Sequence, residues 1–172
     1  MKKIYLTLTV LTIILGTGFS QQKFAFVDSD YILGNIPRYE SAQKSLDKLA
    51  ADWQKEVEAL YVKVDQMYKD FQTDKALLID ERKTKRENEI IEKEKEAKDL
   101  QKKYFGREGE LYKKRTELVK PIQDEVFNAV QELAEEGNYA VIFDTSGGIG
   151  MLYTNPKWDK SDEVLEKLGF KK

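Results

Sequence analysis

The sequence predicts an α+β protein in which a small β-sheet body carries a long antiparallel α-helical coiled-coil hairpin as a projecting arm. Three observations predict it. Between Arg38 and Lys120 the chain holds no Pro and only Gly106 and Gly109, and Lys and Glu dominate. On either side, Phe24-Ala-Phe-Val27 and Tyr139-Ala-Val-Ile-Phe143 are short apolar runs of strand character. Within the charged stretch, apolar residues recur at helical spacing. A chain that spends about half its length on such an arm builds reach and surface, not a deep catalytic pocket.

The first twenty residues have the pattern of a targeting segment. Lys2 and Lys3 give a basic start, Ile4 to Phe19 form an apolar stretch, and Gly18 and Ser20 supply small residues before Gln21. This pattern predicts a secretory signal peptide over residues 1–20, cleaved near Ser20–Gln21. The apolar run of about 16 residues is shorter than the roughly 20 that span a bilayer. No Cys stands at the cleavage site to carry a lipid anchor.

The chain contains no Cys, so an exported protein of this kind must be stabilised by packing, including packing between subunits, and not by disulfides. The absence of His removes the commonest general base and metal ligand. Without Lys2 and Lys3 the 29 basic residues become 27 against 31 acidic, a net charge of −4. Glu81–Lys120 holds fourteen Lys and Arg against ten Asp and Glu, whereas Pro121–Lys172 holds five against ten. An acidic body with a mildly basic arm is too mixed in sign for a nucleic-acid footprint.

Taken in order, Phe24–Asp28 is apolar on both sides, as in a strand covered on both faces. Asp28-Ser-Asp30 opens a short helical piece through Leu33, Gly34-Asn35 breaks it, and Pro37 fits the first turn of the next helix. Leu46, Leu49, Trp53, Val57, Leu60, Val64, Met67 and Phe71 then form a seam with one slip near Trp53. The tip falls within 73–79, and Asp80 is a candidate N-cap for the return limb. That limb repeats Ile90, Ala97, Tyr104, Leu111 and Leu118 every seven residues, but its second column is mostly polar, with Lys93, Arg107 and Lys114. Gly106 and Gly109 are read either as tolerated surface glycines within the helix or as a flexible joint. Pro121 marks a kink or restart. The apolar face then continues to Gly137, a C-terminal stop. Tyr139–Phe143 and Met151–Tyr153 are expected to form a hairpin across Gly147-Gly148, and Ser161 to cap a last helix ended by Gly169. The expected organisation is thus a body of 21–37 and 121–172 around an arm of 38–120. Three short strands with two modest helices leave bare sheet edges, which self-association would close.

No catalytic constellation emerges. Asp144-Thr-Ser-Gly resembles half of an aspartic-protease pair, but no second copy exists to share a proton. Gly147-Gly-Ile-Gly150 joins two strands and does not open a helix, so it does not read as a phosphate cradle. The aromatics beside the seam are more informative. Tyr61 and Tyr68 are spaced by seven on one limb, and Phe105 and Tyr112 on the other. They either widen the hairpin's packing or present a partly exposed aromatic surface to apolar clients.

These parts in this order resemble the Skp/OmpH family of periplasmic chaperones, in the form found in the Bacteroidetes. The residues that carry the resemblance are Phe26-Val-Asp-Ser-Asp-Tyr-Ile-Leu33 with Pro37, Leu78-Ile-Asp-Glu-Arg-Lys83, and Pro121-Ile122. The most specific are Ile142-Phe-Asp-Thr-Ser-Gly-Gly148, Asn155-Pro-Lys157 and Ser161-Asp-Glu-Val-Leu165. The resemblance implies a periplasmic homotrimer with an intersubunit β-barrel body and three arms around a cavity. It implies ATP-independent holding of unfolded outer-membrane β-barrel proteins, with no catalytic residues, cofactor or small-molecule substrate. The best-known members are strongly basic, whereas this chain is slightly acidic. The cluster Arg82, Lys83, Lys85 and Arg86 near the tip is what remains for contact with a membrane surface or lipopolysaccharide. The rival reading is a structural coiled-coil spacer of the cell envelope.

Overall fold

The computed structural model describes residues 22–148 and 150–170, so the expected signal peptide, residues 1–20, lies outside the described residues. The two apolar runs at the ends of the chain meet. Strand β1 (Lys23–Val27) lies parallel to β2 (Tyr139–Asp144), with Phe24 beside Val141, Ala25 beside Ile142 and Val27 beside Asp144. Between them come α1 (Ser29–Gly34), α2 (Pro37–Asp74), α3 (Asp80–Phe105) and α4 (Glu110–Gly137). A short 3-10 turn at Pro156–Trp158 and helix α5 (Ser161–Lys167) follow β2.

Local chemistry accounts for several boundaries. Asp28 caps α1 by accepting the Tyr31 N–H at 2.9 Å, and Pro37 opens α2, where its missing donor costs nothing. The chain reverses between Asp74 and Asp80, which leaves α2 and α3 antiparallel. Gly169, at φ +85°, stops the chain just after α5 in a conformation that an L side chain rarely adopts.

The core sits where the arm joins the body. Val27, Ile32, Leu33, Ile36, Leu46, Ile122, Val126, Leu133, Val164 and Leu165 form one buried cluster from β1, α1, the base of α2, α4 and α5. Polar ties close it. The Asp28 N–H donates to Ser161 Oγ at 2.9 Å, joining α5 to the start of α1, and the Lys160 N–H donates to the Phe26 carbonyl at 2.8 Å.

Several expectations are corrected. Met151–Tyr153 is not a strand, and the sheet of the described residues has two strands, with the outer edge of β2 left unpaired. The strand β1 is covered on one face only. Ala25 and Val27 are buried, whereas Phe24 is half exposed. Pro121 does not restart the helix, since α4 runs unbroken through it; Val119 and Ile122 on either side are buried, and that packing outweighs the roughly 3 kcal/mol cost of an internal Pro. The break falls instead at Gly106–Gly109, which lie between helices and not inside one.

The caps also differ by a residue. Ile79 is the extended residue before α3, and Asp80 lies in the first turn with its carboxylate on Lys83 Nζ at 3.1 Å. Asn138, at φ 52°, closes α4 instead of Gly137, since Asn tolerates the left-handed region. Ser161 stands inside α5, and Asp159 Oδ1 accepts both its N–H and its hydroxyl.

Candidate functional site

The arm is held by a narrow seam. Along α2, Leu46, Val57 and Phe71 are buried, while Leu49, Trp53, Leu60, Val64 and Met67 are half-buried. On the return limb Ile90 and Ala97 are buried, and Tyr104, Leu111 and Leu118 are half-buried. The seven-residue pattern therefore faces α2, as its spacing dictates. The most specific contact is a ring stack. Trp53 and Tyr104 lie 4.8 Å apart with planes 5° from parallel, and Tyr104 donates its hydroxyl to Glu56 Oε2 at 2.7 Å. That hydrogen bond to a carboxylate, with some desolvation, holds the Tyr104 phenol above its ordinary pKa.

The four flanking aromatics divide into two kinds. Tyr61 is half-buried and donates to Gln101 Oε1 at 3.0 Å, bridging the two limbs. Phe105 is half-buried and meets the Tyr104 ring edge-on at 6.4 Å. Tyr68 and Tyr112 are 53% and 57% exposed, with rings in water. Sequence reasoning passed over Val62 and Ile91, which are also largely exposed. Their signal was an apolar residue at a position off the seam, where helix packing does not call for one.

The tip carries a second apolar group that the pattern had not singled out. Leu77 is 88% exposed and Ile79 is largely exposed in the turn between the limbs. Just beyond, Arg82, Lys85 and Arg86 are exposed and Lys83 is half-buried against Asp80. Leu77 and Ile79 could have been suspected from an apolar turn, since turns are usually polar.

On the body, the bare sheet face is aromatic. Phe26 stacks on Phe143 at 5.7 Å, and Phe24 contacts Phe26 at 5.8 Å and Trp158 at 6.0 Å. Val141 and Phe143 are partly exposed, and Leu152 and Tyr153 stand almost free of the chain. Beside the sheet, a cavity of about 370 Å³ opens between β2 and α4, with Val27, Val126, Phe127 and Ile142 among its lining.

The Asp144 turn proves to be a structural clasp. Asp144 accepts from the Ser29 hydroxyl at 2.7 Å, from the Ser29 N–H at 3.1 Å and from the Ser146 N–H at 3.0 Å. Burial alone would raise its pKa, but these donors hold the carboxyl below its ordinary value. A carboxylate occupied in this way fastens the end of β2 to the start of α1. Among the described residues, no group of His, Cys, Asp and Glu is arranged to hold a metal, and no helix is long and apolar enough to cross a membrane.

A small parallel sheet and a two-limbed helical arm with exposed apolar groups distributed along it define the class of protein to which the chain is compared. The chain belongs to the family of OmpH-like outer membrane proteins, whose model matches residues 23–168. It is similar to an uncharacterized protein of Aquifex aeolicus (strain VF5), at 30% identity over 168 residues, covering 98% of this chain and 96% of the relative. Its fold matches the crystal structure of a candidate outer membrane chaperone (OmpH-like) from Caulobacter crescentus CB15. The TM-score is 0.63 at 14% identity, over 88% of this chain and 86% of that one.

Proposed function

We propose that this protein is an ATP-independent periplasmic holdase that binds unfolded outer-membrane proteins and prevents their aggregation before membrane insertion. Family membership supports a chaperone role in general, without enzymatic chemistry. The observation that carries the finer reading is the arm itself. Its exposed apolar groups, Val62, Tyr68, Ile91 and Tyr112, are dispersed among charges and so suit many weak contacts. Such contacts hold an unfolded chain without fixing it.

In this reading the body self-associates as a homotrimer, with other copies covering the aromatic sheet face and the Met151–Tyr153 segment. The number three comes from the family resemblance. The arms then surround the client, and Tyr61, Tyr68, Phe105 and Tyr112 belong to the client surface. Arg82, Lys83, Lys85 and Arg86, with Leu77 and Ile79 in the adjoining turn, supply transient contact with an anionic membrane surface or lipopolysaccharide. Export depends on the signal peptide cleaved near Ser20–Gln21.

The alternative is a structural spacer, favoured by the continuous seam of the hairpin. Dilution of a β-barrel membrane protein from urea separates the two. A holdase suppresses its light scattering at stoichiometric ratio, and no suppression at several-fold molar excess would sink the proposal.

A further inference from the structure

Between the clasp at Asp144 and the turn at Pro156 lies a stretch that the fold does not use. On one side the last ties are the Thr145 N–H on the Val27 carbonyl at 2.8 Å and the Ser146 N–H on Asp144 at 3.0 Å. On the other, order resumes at Asn155, whose carbonyl accepts the Trp158 N–H at 2.9 Å and whose side chain accepts the Lys157 N–H at 3.0 Å. Residues 150–154 lie in neither helix nor strand, and they make no hydrogen bond among the described residues. Leu152 and Tyr153 stand in the middle of this stretch, 102% and 79% exposed.

An endopeptidase takes its substrate as an added strand, pairing free backbone N–H and C=O groups and seating a side chain in a pocket beside the scissile bond. Residues 150–154 of a free subunit meet both demands. The arm tip does not, although Leu77 is also exposed. There the Lys75 N–H donates to the Phe71 carbonyl and the Leu77 N–H to that of Asp74, both at 2.8 Å, and a helix begins again at Asp80.

A cut in this stretch would strike the core. Val164 and Leu165 of α5 are buried there, yet beyond Tyr153 the chain is tied back by contacts alone, among them the Asp28 N–H on Ser161 Oγ and the Lys160 N–H on the Phe26 carbonyl. Hydrolysis turns that intramolecular packing into the binding of a separate short peptide, which dilution disfavours.

We propose that Leu152-Tyr153 is a cleavage site for an endopeptidase that selects large apolar side chains, open in the free subunit and covered in the assembly. Water adds across the Tyr153–Thr154 amide, leaving a carboxylate on Tyr153 and an ammonium on Thr154. Subunits that fail to associate thereby lose α5 and are removed, while associated subunits persist. The inference rests on the self-association reading, in which other copies cover this segment, and it is independent of what the arm holds.

Chymotrypsin, whose pocket is a hydrophobic slot, is the probe, and the full chain is the substrate. Sedimentation equilibrium over the same concentrations gives the fraction of subunits that are free. The first product should end at Leu152 or Tyr153 by mass. Cleavage per subunit should follow the free fraction, falling about tenfold when nine-tenths of the subunits are associated. Leu152→Ser with Tyr153→Ser should slow the first cut of the free subunit by at least about tenfold, because the enzyme's pocket is left unfilled. A first cut in the arm, equal rates in free and associated chains, or a cut chain that keeps its C-terminal peptide on dilution would overturn the proposal. A chain that stays monomeric at every concentration would instead refute self-association itself, and the protection inferred from it would fall too.

Discussion

Truncating Phe71 to Ala tests what holds the outer arm together. Beyond Val57 and Ala97, Phe71 and Ile90 are the only buried side chains among the described residues of the two limbs, and Phe71 is 3% exposed. A buried Phe removes about 200 Å² from water, worth about 5 kcal/mol at 25 cal/mol per Å². The Ala variant keeps the Cβ, and an exposed hairpin relaxes around the gap, so about 3 kcal/mol is expected, at the lower end for Phe→Ala. The loss should be local, because no other element packs over this part of the arm. Amide hydrogen exchange should then accelerate by about 100-fold in residues 62–90. Amides of β1, β2 and α5 should keep their protection. Tyr68→Ser, three residues away but 53% exposed, should change exchange by no more than about twofold. Equal effects of the two substitutions, or loss of protection in the body, would refute the account of a locally stabilised arm.

The remaining predictions concern clients, assembly and pH. Replacing Tyr61, Tyr68, Phe105 and Tyr112 together by Ser should weaken suppression of client aggregation while circular dichroism stays within about a tenth of the parent, because these rings lie off the buried seam. Lost helicity would return them to hairpin packing, and unchanged suppression would remove them from the client surface. Leu152→Asp with Tyr153→Asp should shift sedimentation equilibrium toward monomer, and an unchanged oligomer would exclude this segment from the interface. Asp144→Ala removes three hydrogen bonds from a partly exposed carboxylate and should cost about 1–2 kcal/mol in denaturant unfolding. The folded pKa of Asp144 is depressed from 3.8, so its contribution is present above about pH 4 and is lost as pH falls through the folded value. The parent and the Ala variant should therefore converge in stability below that pH, and a constant gap down to pH 2 would contradict the clasp.

The fold was legible where one rule dominated. The spacing from Leu46 to Phe71 required a long amphipathic helix, and the seven-residue repeat from Ile90 to Leu118 required a partner for one face. Periodicity could not say where the return limb breaks. Pro121 carried the stronger local signal, yet buried neighbours hold the helix through it, while glycine's poor helix propensity lets the limb break at Gly106 and Gly109. The Met151–Tyr153 pattern has strand character, but a strand needs an edge to pair with, and that is not a property of its own residues. The surfaces were legible only in part. Tyr68 and Tyr112 were recognisable as off-seam aromatics, whereas Tyr61 turned out to bridge the limbs through Gln101. The exposure of Leu77 and Ile79 was not legible, because both lie in the turn, where helical spacing says nothing of burial.

Because β1 and β2 are parallel neighbours, the whole arm serves as the crossover between two adjacent strands, some 110 residues long. Closing an unstructured loop of that length costs about 4 kcal/mol beyond its constant term. A hairpin that zips from its tip avoids most of this cost, since it delivers the two strand ends side by side through local steps. The sheet should therefore form late, once Tyr139–Asp144 has been made, and the kinetic nucleus is expected in the arm. For such a chain the arm is the scaffold on which the body is assembled, and substitutions that loosen the arm should slow refolding of the sheet even where they touch none of its residues.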